Sequence, residues 1–372
     1  MTPRDYLGIK KLFLFIFLLY NLGLLIDSYR KNRFLFSETI LIPAVLYLIS
    51  VILVGKVFEP LTYLYSYLYF GLIFVLLKYH IDIWGIIRRT VNIMAGIIVI
   101  SALLDFFSFI PIEENLLLVW LKEHGEAQIS ASHAAIAYYV LFFKASPLLL
   151  YNLVYYLKNR RYMMSIFVFS ALLFSGTRAN IGMGIFMIVG NFLFVERRRV
   201  WRLFSLFLMI AMLISVSEYA VNKINVINTA KSDGDSVRIE TVKSIKDVMK
   251  SSPDYFITGM GYGSVYYSTG REEFVDSSEM SYFELYRQAG LFFGTIILLF
   301  TLYPLAVLRR SDRALFLFYM GYLTEGFFEP FIYTSTGLFV VSCIYLEVYK
   351  QKRREQKVIK RCVEKQDILS FL

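Results

Sequence analysis

Apolar residues in this chain fall into blocks, each near the length that crosses a lipid bilayer. Bridging about 30 Å of hydrocarbon takes roughly 20 helical residues. Such blocks run at 12–26, 39–54, 61–77, 91–110, 134–156, 162–174, 181–195, 203–219, 285–308, 314–325 and 331–348. In lipid, backbone N–H and C=O groups must be satisfied within the protein, so blocks of this kind fold as helices. The chain therefore reads as all-α: a polytopic transmembrane helical bundle of about 11 spans, within a range of about 10–12, forming one integral membrane domain over residues 1–372. Composition agrees, since 57% of the 372 residues are hydrophobic and 17% aromatic, more than soluble domains carry.

Charge orients the bundle. Short connectors at Lys158/Arg160/Arg161, at Arg197/Arg198/Arg199/Arg202 and at Arg309/Arg310/Arg313 are basic, as is the tail over 349–372. Cytoplasmic connectors are enriched in Lys and Arg, so these four lie inside and the C-terminus with them. The alternate connectors then face outward: Glu113 to Glu126, a small turn at Arg178, a long loop over 221–282, and Glu325/Glu329. The net charge of +10 is thus mostly a signature of topology, and no nucleic-acid partner is expected. The first block follows Lys10-Lys11 but has no small-residue cleavage site after it, and reads as an anchor. Neither of the two cysteines, Cys343 and Cys362, suggests a disulfide or a metal site.

The outer loop has structure of its own. In "DGDSVRIETVKSIKDVMKSS", Ile239, Val242, Ile245 and Met249 recur at helical spacing behind a cap at Asp235 or Ser236. This predicts a short amphipathic helix at the outer mouth of the bundle or at the lipid interface. "SSPDYFITGMGYGS" follows, where Ser-Ser-Pro stops the helix. Gly259, Gly261 and Gly263 then permit tight turns and close backbone approach. Asp233-Gly234-Asp235 has the form of an Asp-x-Asp metal clamp, but turn and cap chemistry accounts for it, and no metal is expected. Asp105 and Lys144, in adjacent oppositely directed spans, suggest a structural ion pair.

Three segments together resemble the O-antigen polymerase and ligase superfamily: "SGTRANIGMGIFMIVG", "VRIETVKSIKDVMKSSPDYFITGMGYGS" and "SSEMSYFELYRQAGLFFG". The likeness covers roughly residues 165–308, and the order and shared outer position of the segments carry it. One position departs: where ligases show a histidine ahead of the Gly-Leu-x-Gly segment, this chain has Glu279-Met280, which favours a polymerase. The resemblance implies glycosyl transfer from a polyprenyl-diphosphate-linked oligosaccharide donor to an acceptor of the same kind. The reaction would occur at the outer face of a bacterial cytoplasmic membrane, without metal or other cofactor. It also implies a flippase and a chain-length regulator as partners.

That chemistry needs cations to hold the diphosphate as its charge grows, and a base to take the acceptor hydroxyl's proton. Arg178 and Arg238 stand at the family's arginine positions, and Arg271 and Arg287 could add charge. Glu279 is the candidate base and His133 its rival; Gly259, Gly261 and Gly263 would shape the closing loop. A ligase delivering finished glycan to a lipid or protein shares the donor chemistry. A lipid-linked oligosaccharide transporter would instead require broken helices and repeat symmetry.

Overall fold

The computed structural model describes residues 76, 79–107, 109, 111, 114–123, 127–131, 139–175, 177–195, 233–278 and 280–370, with positions 16, 19, 23 and 26. The expected spans at 39–54 and 203–219, nearly all of those at 12–26 and 61–77, and the candidates His133 and Glu279 lie outside the described residues.

The described chain is mostly helical. In order it forms α1 (Ile83–Phe106), α2 (Leu116–Glu123), strands β1 (Ala127–Ala131) and β2 (Tyr139–Phe143), α3 (Leu149–Lys158), α4 (Tyr162–Phe174) and α5 (Arg178–Gly190), which continues as a π turn over Asn191–Val195. After residue 232 come α6 (Asp233–Lys250), α7 (Pro253–Thr258), β3 (Tyr266–Ser268), β4 (Glu273–Val275), α8 (Ser281–Ser311), α9 (Arg313–Glu325) and α10 (Ser335–Ser370). Among the described residues two helices, α1 and α8, are long and apolar enough to cross a membrane. α4 and the α5 segment are shorter apolar helices.

Two antiparallel hairpins, β1–β2 and β3–β4, interrupt the all-α pattern. The first corrects the expected span at 134–156: Tyr139–Phe143 is strand, and helix begins only at Leu149. Pro147 explains the late start. It sits in the 3-10 turn Ser146–Leu148 at the head of α3, where a missing N–H costs nothing, and a helix continuing upstream would need that N–H. Ser146 Oγ accepts from the Phe143 N–H at 3.0 Å and seals the join. Lys144 consequently lies in the turn after β2, not deep in a helix, so the depth argument for pairing it with Asp105 no longer holds.

Packing aligns the helices by their ends. Lys158 Nζ meets Asp312 Oδ1 at 3.2 Å, and Arg313 Nη1 donates to the Phe194 carbonyl at 3.3 Å. The connectors at Lys158 and at 309–313 and the Phe194 end of the π turn therefore share one end of the bundle, the basic end. α5 and α9 run antiparallel, with Gly190 against Leu317 and Met187 against Gly321, so Arg178 and Glu325 lie toward the other end. α8 starts there too: the Ser281 N–H donates to the Gly326 carbonyl, and Tyr282 Oη to the Leu323 carbonyl at 2.6 Å. The elements between 233 and 280 assemble on this opposite end, the cap end.

Within the bundle, buried polar groups tie α1 to α3. Asn152 Nδ2 donates to the Arg88 carbonyl and to Asn92 Oδ1, while Asn92 Nδ2 donates to Tyr156 Oη at 2.6 Å. α10 has 36 residues, about 54 Å of helix, so it continues well beyond one bilayer thickness through the basic tail.

Candidate functional site

The cap end gathers the three segments singled out in the sequence. Its foundation is a break in α8 at Gly290, where φ is 68° and ψ −179°. The break leaves the Arg287 and Gln288 carbonyls outside the regular helical pattern, and the glycine-rich loop takes them. The Met260 N–H donates to the Arg287 carbonyl at 2.8 Å and the Gly261 N–H to that of Gln288 at 3.0 Å. Gly259, with φ of 83°, lies so close that a Cβ would collide with the Gln288 carbonyl and the Gly290 N. A Cβ on Gly290 would likewise meet the Ile257 carbonyl and the Gly259 N. Gly261 and Gly263 also have positive φ, 95° and 75°. The glycines thus dock a loop backbone-to-backbone on a helix break, a geometry closed to residues with side chains.

One arginine locks this joint. Arg287 is fully buried. Its Nε donates to Glu284 Oε2 at 3.0 Å and Nη2 to Glu284 Oε1 at 2.5 Å and to the Asp276 carbonyl at 2.8 Å. Nη1 reaches the Ser264 carbonyl at 2.9 Å and Ser264 Oγ at 2.7 Å, and the guanidinium lies 4.7 Å from the Tyr266 ring centroid. Glu284 completes its own set with the Ser278 N–H and Gln288 Nε2. A guanidinium has five N–H donors, and this network engages every nitrogen. Arg287 is therefore an internal tie between loop and helix, a correction to its expected place among the diphosphate ligands. The Tyr266 phenol beside it is pushed up to about 12, mainly by burial, with the Glu284 carboxylate adding to the effect.

α6 is zipped to the second hairpin through hydroxyl groups. Thr241 Oγ1 lies 3.1 Å from Ser268 Oγ, and Ser244 Oγ 2.7 Å from Thr269 Oγ1. Ile245 packs on Tyr266 and Val275. The buried face of α6 is thus Thr241, Ser244 and Ile245, while Ile239, expected on that face, is 58% exposed. The helix begins at Asp233, so Asp235 and Ser236 lie inside its first turn instead of capping it, and Asp233–Asp235 is helical. Gly270 abuts the backbone of Val237, which brings the following Arg271 to the same corner as Arg238. Arg238 is half-buried there and Arg271 exposed.

Arg178 opens α5. Thr177 has extended backbone, φ −82° and ψ 129°, and its Oγ1 accepts from the Asn180 N–H at 3.4 Å, capping the helix and setting Arg178 in its first position. The preceding turn is held by the first hairpin, whose Leu141 N–H donates to the Ser175 carbonyl at 3.1 Å. Glu279 falls just before α8, between the described Ser278 and Met280. Beside this polar end, a mostly apolar groove of about 360 Å³ runs between α8 and α9, lined by Tyr282, Phe283, Tyr286, Leu302, Leu305 and Met320 among others.

Three residues at this end escaped the sequence reading. Glu284 lies three residues before Arg287, a helical pairing distance that could have signalled the tie. Glu325 marked topology only, yet it is fully buried. Asn180 is also fully buried, and nothing in the local pattern distinguishes it. Comparison with protein-family models, curated proteins and solved structures finds no match for the chain.

Proposed function

We propose that this protein is a membrane glycosyltransferase that polymerises polyprenyl-diphosphate-linked oligosaccharide units at the outer face of a bacterial cytoplasmic membrane. In this reading the bundle has about 11 spans, the basic end is cytoplasmic and the cap end faces outward. The observation that carries it is the convergence at one end of the Arg178 helix start, the Arg238/Arg271 corner and the glycine loop docked on the α8 break. A helix N-terminus carries positive potential, and an anion answers both that potential and an arginine in the first turn. Arg178, Arg238 and Arg271 would supply that anion site, and a diphosphate matches bidentate guanidinium donors in charge and geometry.

The α8–α9 groove suits the donor's isoprenoid tail, because it is apolar and begins beside Tyr282 at the same end. With the tail in the groove, the diphosphate sits at the mouth and the sugar projects into the cap. The acceptor hydroxyl attacks the anomeric carbon while the guanidinium groups receive the charge of the departing diphosphate. A base must take the hydroxyl proton; the sequence candidates for it, Glu279 and His133, lie outside the described residues.

Strains carrying Arg178→Ala or Arg238→Ala test the reading on polysaccharide gels. Loss of the ladder with single repeats retained is the expected result. Loss of all attached glycan, with long lipid-linked chains accumulating, would instead indicate a ligase. Normal ladders in both strains would contradict the site.

A further inference from the structure

Among the described residues, Glu325 is the buried carboxylate that nothing answers. It ends α9, is fully buried, and neither oxygen has a hydrogen-bond partner. Glu284, the other buried carboxylate of the cap end, is saturated by Arg287, Gln288 and the Ser278 N–H. The packing of α5 on α9 points to the α5 residue nearest Glu325. Gly190 meets Leu317, and Met187 and Met183 meet Gly321; the next residues along those two stripes are Asn180 and Glu325. Asn180 is fully buried as well. Its Nδ2 donates to Ser175 Oγ at 3.3 Å, while its Oδ1 is left without a partner.

Neighbouring stripes thus carry buried acceptors without partners, Glu325 Oε1 and Oε2 and Asn180 Oδ1, and Asn180 lies two residues after Arg178. An unanswered buried carboxylate is costly, because it gives up hydration for no partner. Buried polar groups of this kind call for a specific explanation, and a ligand that brings donors is one. A glycan is a dense array of hydroxyl donors. The carboxylate lies at the join between α9 and the link over residues 326–334, which Ser281 Oγ holds by donating to the Glu329 carbonyl at 2.7 Å. Ile332 covers Gly326 next to it. Displacing this link would admit a sugar from the cap end.

Resting on the transferase reading, we propose that Glu325 accepts the proton of the attacking sugar hydroxyl, with Asn180 Oδ1 holding a neighbouring hydroxyl of the same sugar. The hydroxyl oxygen forms the new bond to the anomeric carbon. The bond from that carbon to the diphosphate oxygen breaks, and its electron pair leaves with the diphosphate. The hydroxyl proton passes to the Glu325 carboxylate, then to water once the product departs. Glu325 is a catalytic residue in this scheme and Asn180 a binding one.

The full-length protein, reconstituted with lipid-linked repeat units isolated from cells lacking it, tests the assignment. Glu325→Gln should lower polymer formation by about 100-fold or more, the usual scale for a lost general base, while binding of undecaprenyl diphosphate is retained. Glu325→Ala should be equally inactive and should regain part of its activity with added sodium formate, which supplies a carboxylate to the space left behind. Polymer formation by Glu325→Gln at the wild-type rate would overturn the proposal. So would a Glu325→Ala protein that binds undecaprenyl diphosphate normally yet gains nothing from formate, because a merely structural glutamate behaves that way. Absence of polymer from the wild-type protein would remove the transferase reading and this proposal together, whereas the two preceding outcomes remove this proposal alone.

Discussion

The Arg287 guanidinium shows how much one side chain can hold. It joins α8, the chain before Tyr266 and the Asp276 turn through charge-assisted bonds that a lysine cannot reproduce. Removing it strands the buried Glu284, a loss of about 3–5 kcal/mol for a broken buried pair. Arg287→Ala, and Arg287→Lys to a lesser degree, should therefore release the glycine loop and expose residues 259–280 to limited proteolysis. Arg178→Ala should leave that proteolytic pattern unchanged while lowering diphosphate binding. In the sequence the two arginines differ little, both lying at the cap end of apolar segments. What separates them is the company each keeps: Glu284, Ser264 and Asp276 converge on Arg287 from three elements, and only the tertiary fold brings them together. For Arg178 the sequence showed a small turn between apolar segments, and the structure makes Thr177 of that turn the cap of α5.

Among elements, the joint between the glycine loop and α8 makes the sharpest demands. Gly259→Ala and Gly290→Ala each place a Cβ against backbone atoms at a positive φ, a strain of about 1–3 kcal/mol before the collision is counted. Both should undock the loop, lower the melting temperature and abolish transfer, whereas Gly182→Ala, in open space on α5, should leave all three unchanged. The Tyr266 phenol adds a pH signature. Its folded value near 12 lies above the ordinary 10, so its neutral form favours the docked cap. That contribution is complete below pH 10 and disappears as pH rises through 12. Intrinsic fluorescence of the wild-type cap should report loosening between pH 10 and 12, and Tyr266→Phe should lack that component. Sequence periodicity located α4 and α9 closely because each is one continuous apolar helix, but it gave no sign of the break at Gly290 inside α8. It misjudged 134–156, where strand and helix are both apolar and only Pro147 marks the change. It also misjudged the buried face of α6, whose contacts run through Thr241 and Ser244, residues that hydrophobic spacing ignores.

At the scale of the whole molecule, the bundle has two unlike ends. Lys158, Asp312 and Arg313 meet at one, and the Arg178 helix start and the glycine loop lie at the other. Charge alternation announced that polarity because it depends only on which connectors are basic, whereas Glu325 and Asn180 stayed hidden until α5 and α9 were packed together. Single cysteines at positions 160 and 310, in a background lacking Cys343 and Cys362, should react with an impermeant thiol reagent only after the cells are opened. Cysteines at 271 and 327 should react in intact cells. The central claim, that guanidinium groups at the cap end receive a lipid diphosphate, is tested most directly by binding of undecaprenyl diphosphate to the purified full-length protein. The account predicts saturable binding that is weakened at least tenfold by Arg178→Ala and by Arg238→Ala and is much weaker for undecaprenyl monophosphate. Equal binding of the diphosphate by wild type and both variants would contradict it.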